Sequence, residues 1–188
     1  FDITVHWRKF PLHPETPEEG QLLTDLLRTT PDKLAGTMAH LRATAEELGL
    51  PFGERTRTYN SRLAQELGAW ADTQPGGEAI HDSLFRAYFV EGRNIGEIGV
   101  LADIARAVGL PADEARAVLT ERRFKAAVDH DWDRSRAAGV TGVGDLVDDE
   151  EWVAAGAAEL VVETAGVVGG GEPVDPFGCG GERDAVAG

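Results

Sequence analysis

An α/β fold, with one strand, then six helices, then a returning β-hairpin, is what this sequence predicts, and three observations carry it. Phe1 to Trp7 alternates apolar and polar residues at period two, as a half-buried strand does. From Thr30 to Gly139 apolar residues recur at helical spacing between glycine and proline stops. Val140 to Ala154 then holds two short apolar runs around an acidic turn. The 188 residues suit one domain, and 42% hydrophobic residues are enough to build a core.

Taken in order, Ile3, Val5 and Trp7 share one face of the strand, which Arg8-Lys9-Phe10-Pro11 ends. A loop with Pro11, Pro14 and Pro17 leads through Leu22, Leu23, Leu26 and Leu27 into a short amphipathic or irregular segment. Thr30 is the expected N-cap of the first long helix, with Pro31 in its first turn. Leu34, Met38, Leu41, Ala45 and Leu48 form its stripe, and Gly49 stops it.

Asn60 caps a second helix carrying Leu63, Leu67 and Trp70 and ending at Gly76-Gly77; a third carries Ile80, Leu84, Phe85, Tyr88 and Phe89 up to Gly92. Val100, Leu101, Ile104 and Val108 mark a fourth, closed by Gly109. Pro111 opens a fifth through Leu119, and Phe124, Val128 and Trp132 line a sixth that stops at Gly139. Asp148-Asp149-Glu150-Glu151 is the expected hairpin turn before Trp152-Val153-Ala154. Ala158 to Ala165 is a candidate terminal helix, and a disordered acidic, glycine-rich tail is expected over 166–188.

Charge excludes several functions. Eighteen Lys and Arg against 33 Asp and Glu leave −15, which argues against phosphate-held nucleic acid and against docking on anionic membranes. The excess is uneven: residues 144–188 hold 11 acids, one base and 10 of the 23 glycines. Composition changes near Val143, so the two parts read separately. The single cysteine, Cys179, rules out an internal disulfide and a multi-thiolate zinc site. No apolar run approaches the roughly 20 residues of a bilayer span, and no secretory signal opens the chain, so a cytoplasmic location is expected. The chain begins on Phe1 inside the expected strand, which suggests residues upstream of it.

Several runs stand in a recognisable order: Trp7-Arg8-Lys9-Phe10-Pro11-Leu12-His13-Pro14, Gly49-Leu50-Pro51-Phe52 and Asn60-Ser61-Arg62-Leu63-Ala64. Leu84 to Ile95, Gly109-Leu110 and Ala138-Gly139-Val140-Thr141-Gly142-Val143 follow. As an ordered set over about Val5 to Val143 they resemble the cytoplasmic FrnE-type branch of the DsbA-like thiol–disulfide oxidoreductases. The resemblance implies a thioredoxin-like fold with an inserted all-helical domain. It assigns 1–50 to the N-terminal part of the thioredoxin-like domain, 51–134 to the insertion and 135–165 to the divergent or frameshifted C-terminal part. The family's first strand and active-site helix are expected before Trp7 and are not in this sequence.

That placement bears on the chemistry. Thiol–disulfide exchange needs a thiolate with a resolving partner, and this sequence holds no Cys-x-x-Cys. The family's cis-proline follows the Gly-Val that ends the helical insertion; here Val143 is followed by Gly144, where a stable cis peptide is not expected. Val143 and Gly144 are therefore the candidate substrate-binding positions, with no catalytic residue, no metal ligand and no cofactor expected. A protein or peptide thiol is the substrate class that the resemblance implies.

Two other readings stand beside it. The related isomerases of 2-hydroxychromene-2-carboxylate and the kappa-type glutathione transferases share the helical insertion, and their serine would also lie upstream. A non-catalytic binding module is the third. His13 reads as a loop residue, the cluster His130-Asp131-Trp132-Asp133 as a solvated helix face, and Trp70, Phe85, Tyr88, Phe89 and Trp132 as core rather than a ligand groove. A sheet without its first strand has an unpaired edge, so a homodimer or marginal stability is expected.

Overall fold

The computed structural model describes residues 7–140, 146–147 and 152–154. Residues 1–6 of the expected strand, the Val143-Gly144 position, the candidate helix from Ala158 and the tail lie outside them. The described residues are mostly helical. Strand β1 (Trp7–Arg8) is followed by β2 (Gln21–Leu22), α1 (Leu23–Leu26), α2 (Pro31–Glu47) and β3 (Arg57–Thr58). Next come α3 (Arg62–Ala71) and α4 (Ala79–Phe85), which runs into a π-helical turn over Arg86–Val90. α5 (Ile98–Ala107), α6 (Ala112–Thr120), α7 (Lys125–Ala137), β4 (Leu146–Val147) and β5 (Trp152–Ala154) complete the order.

The hairpin falls where the sequence places it. β4 and β5 pair antiparallel with Leu146 opposite Val153, and β5 pairs parallel to β1 with Trp7 opposite Val153. The sheet order is β1-β5-β4. A second ladder, β2 with β3, sets Gln21 opposite Thr58 and was not expected from the sequence.

Helix ends follow local chemistry. The Thr30 hydroxyl accepts the Lys33 N–H at 3.4 Å, and Pro31 stands where no intrahelical N–H is needed. Gly49 takes φ +70°, which lets the Leu50 N–H reach back to the Ala45 carbonyl at 2.8 Å. Gly109 and Gly139 close α5 and α7 in the same way, with bonds from Leu110 to Ala105 and from Val140 to Ser135.

One helix is shorter than expected. α3 ends at Ala71, not at Gly76-Gly77, because the Thr73 hydroxyl bonds the Trp70 carbonyl at 2.6 Å and the Gln74 N–H the Ala71 carbonyl at 2.8 Å. Pro75 then disfavours helical geometry at Gln74. The third helix also differs from its expectation: the Glu91 N–H bonds the Arg86 carbonyl five residues back, so the turn bearing Tyr88 and Phe89 is π-helical.

The core lies among α3 to α6, where Leu67, Trp70, Ile80, Leu84, Leu101 and Leu119 are buried. Each such side chain contributes about 1.5–3 kcal/mol by leaving water. The stripe of α2 is only partly covered: Leu34 and Ala45 are buried, Met38 and Leu41 half-buried, and Leu48 is 44% exposed. No described helix is long and apolar enough to cross a membrane.

Candidate functional site

The chain leaving β1 is bolted to the helices by polar side chains. The Lys9 N–H donates to Asp131 of α7 at 3.2 Å, and Gln65 of α3 donates from Nε2 to the Phe10 carbonyl at 3.0 Å. Gln65 Oε1 accepts the Trp132 indole N–H at 2.7 Å, so one buried amide joins the strand exit, α3 and α7. Lys9 reaches Asp72 at 3.1 Å, and Asp72 also takes the His81 ring at 2.7 Å.

The loop before β2 is held similarly. Asn60 donates to the Thr16 carbonyl at 2.7 Å while its Oδ1 accepts the Arg62 N–H at 2.9 Å. The expected cap is corrected by one residue: Ser61 is the cap residue of α3 and makes no side-chain cap bond, while Asn60 before it holds the Arg62 N–H. Asn94 repeats the arrangement, donating to the Glu18 carbonyl and accepting from the Gly96 N–H.

Between these anchors opens a cleft of about 260 Å³ lined by Glu18, Asn60, Arg62, Leu63, Gly96 and Arg122. Two of its lining residues, Arg62 and Arg122, meet at one buried carboxylate. Glu66, 1% exposed, accepts from Arg62 at 2.8 Å and from Arg122 at 2.8 and 2.6 Å. Burial alone pushes the Glu66 carboxyl up, but hydrogen bonds from Arg122 and Arg62 and their charges outweigh it, so the group sits below its ordinary range. Arg62 also bonds Asp129 at 2.6 Å and lies 4.4 Å from the Trp132 ring centroid. Arg122 adopts φ +54°, an uncommon conformation for a side chain of its size.

Chemically, the cleft can hold polar or charged groups, and Glu18 is the carboxylate among its lining residues. Glu66 is fixed as an anion by three hydrogen bonds, which suits it to structure rather than proton transfer. Asp72 is raised by burial yet held below its ordinary range by the His81 hydrogen bond and by the Lys9 charge. Among the described residues no group of three or more His, Cys, Asp or Glu could hold a metal ion.

The candidate positions Val143 and Gly144, and Cys179, lie outside the described residues. His13 is exposed in its loop, 3.7 Å from Glu15. Trp70, Tyr88 and Phe89 are buried in the core as expected, with Phe85 packed against it. The cluster at residues 130–133 is corrected in part: His130 and Asp133 are exposed, but Asp131 and Trp132 hold the strand exit and Gln65. Sequence reasoning did not single out Gln65, Glu66 or Arg122. The four-residue spacing of Arg62 and Glu66 was the available signal for one pair.

A family model described as DSBA-like thioredoxin domain matches residues 1–162. The uncharacterized protein YwbO of Bacillus subtilis (strain 168) is 27% identical over 126 residues, 66% of this chain and 60% of YwbO. The chain thus spans about three-fifths of the length of the curated relative it matches.

Proposed function

The chain belongs to the DSBA-like thioredoxin domain family, and from that premise we propose that it is the scaffold of a FrnE-type, cytoplasmic thiol–disulfide oxidoreductase that lacks catalytic thiols of its own. The observation that carries this reading is the pairing of a family match over residues 1–162 with a sequence whose one cysteine is Cys179. Exchange proceeds by thiolate attack on a disulfide sulfur, and release of the resulting mixed disulfide normally takes a second thiol close by. Any such pair acting with this scaffold lies outside these 188 residues.

Support for the scaffold role comes from the family-like motifs. Arg8-Lys9-Phe10, Asn60 to Arg62 and Asn94 spend their polar groups fastening loop, strand exit and helices together. In this reading the helices form a domain inserted into the thioredoxin-like fold, and Val143-Gly144 takes the place of the loop that meets a peptide thiol substrate. Self-association belongs to the proposal, since β1 has β5 as its one strand neighbour among the described residues.

The test is insulin reduction driven by dithiothreitol, together with oxidation of a dithiol peptide. The 188-residue chain is expected to match the buffer rate in both. Turnover that disappears in Cys179→Ser would overturn the reading. Adding a strand, Cys-x-x-Cys and helix ahead of Phe1 is expected to create turnover; a folded fusion with reduced thiols and no activity would count against the scaffold role. Light scattering after size exclusion checks the dimer.

A further inference from the structure

Arg122 lines the cleft with half of its guanidinium unspent. Glu66 takes the inner fork, Nε at 2.8 Å and Nη2 at 2.6 Å. Both Nη1 protons and the second Nη2 proton, which together form the outer fork, have no acceptor among the described residues. The inner fork faces a carboxylate that is 1% exposed, so the 40% exposure of the Arg122 side chain lies with its stem and outer fork.

Arg62 stands beside it, because both arginines donate to the same Glu66 oxygen, Oε1. Its Nη2 is spent on the Lys125 carbonyl at 2.8 Å and on Asp129 at 2.6 Å. Its Nη1 has no acceptor among the described residues, yet it is not among the enclosed nitrogens, so solvent reaches it. The neutral groups of the cleft are already satisfied: Asn60 spends its amide on the Thr16 carbonyl and the Arg62 N–H, and the Gly96 N–H goes to Asn94. Recognition of a ligand therefore falls to the two arginines.

Backbone and charge define what they can take. Arg122 is held at φ +54° by its N–H on the Leu119 carbonyl at 3.2 Å and by its carbonyl on the Lys125 N–H at 3.0 Å. Non-glycine residues in that region cluster at ligand clamps. Arg62, Arg122 and Lys125 face Glu66 and Asp129, which leaves one positive charge over. Glu18, the exposed lining carboxylate, makes no ion pair among the described residues. A ligand with one negative charge meets the surplus, and a second negative charge would face Glu18.

We propose that this cleft binds a single carboxylate, gripped by the outer fork of Arg122 beside the Arg62 Nη1, with Glu18 selecting against doubly charged anions. The role goes beyond thiol exchange, because it needs neither a cysteine nor the Val143-Gly144 position. A carboxylate has two sources, a free small acid or an acidic side chain of a peptide.

The experiment follows the Arg122 and Arg62 Nε–H resonances by NMR, assigned through their backbone signals, during titration at constant ionic strength. The probes are sodium acetate and a capped peptide with one Asp, with chloride, the Asn peptide and phosphate as controls. A saturable shift with acetate and peptide identifies the carboxylate alone as the ligand, and a shift with the peptide only assigns the side-chain source. Glu18→Gln removes a charge that no ion pair uses and is expected to tighten acetate binding about threefold. Arg122→Lys keeps the charge but loses the fork, and is expected to bind about tenfold more weakly. No saturable shift with either probe, an equal shift with chloride, tighter binding of phosphate than of acetate, or an affinity unchanged in Glu18→Gln overturns the proposal. The wild-type protein and Glu18→Gln decide the outcome, so a poorly folding Arg122→Lys leaves the test intact.

Discussion

Arg122 sets two guanidinium nitrogens on the Glu66 carboxylate, Nε on Oε2 at 2.8 Å and Nη2 on Oε1 at 2.6 Å, joining α3 to the turn before α7. Glu66→Gln keeps the shape and removes the charge that two arginines face. Breaking a buried pair costs about 3–5 kcal/mol, and the lower end is expected because Arg122 is 40% exposed and can turn to water. The folded-state Glu66 pKa lies below its ordinary value. Its contribution is therefore complete above the unfolded carboxyl pKa and is lost as pH falls through the folded one. Urea unfolding from pH 7 down to about pH 3 should show a flatter acid limb for Glu66→Gln than for wild type; parallel limbs would sink the assignment.

Gln65 joins three partners, and Gln65→Leu orphans them together. The Phe10 carbonyl and the Trp132 indole N–H each lose a bond, and Ser61 loses the one at 3.1 Å. Each buried group left unsatisfied costs about 1–3 kcal/mol. The Trp132 indole N–H resonance is expected to move and the amide of Lys9 to exchange faster with solvent. Unchanged exchange at Lys9 would mean that Asp131 alone holds the strand exit.

Much of the helical order was legible because stop and start signals are local. Thr30, Pro31, Gly49, Gly109 and Gly139 act where the sequence places them. The β2–β3 ladder was not legible: each strand has two residues, too few for alternation to register. Nor was the π turn, since apolar spacing through Leu84, Tyr88 and Phe89 does not distinguish a bond four residues back from one five back. The cleft depends on Arg122 at φ +54°, a tertiary outcome.

Lys9 and Asp72 are unequal partners. The Lys9 side chain is 9% exposed and that of Asp72 45%, so the two halves of the pair should differ when removed. Asp72→Asn leaves a buried ammonium without its anion and is expected to destabilise more than Lys9→Met, which removes the buried charge and keeps the apolar stem. Asp72 retains His81 in the second variant. Thermal unfolding at pH 7 ranks them; equal or reversed order would show that the Lys9 charge is already served by water.

Two glycines should respond oppositely to alanine. A Cβ at Gly53 would lie 2.0 Å from the Val90 carbonyl oxygen, a backbone atom with no side-chain freedom to withdraw. Gly53→Ala must push the 51–56 segment off the π turn, costing about 1–3 kcal/mol through overpacking. Gly36 stands inside α2 with nothing within 4 Å of its added Cβ and no positive φ. Gly36→Ala therefore raises stability by about 0.5–1 kcal/mol by restricting the unfolded chain and favouring helix. Urea midpoints should fall for Gly53→Ala and rise for Gly36→Ala. The double variant should equal the sum of both shifts, since the sites share no partner. A Gly53→Ala protein as stable as wild type would show that the 51–56 segment is not seated on the π turn.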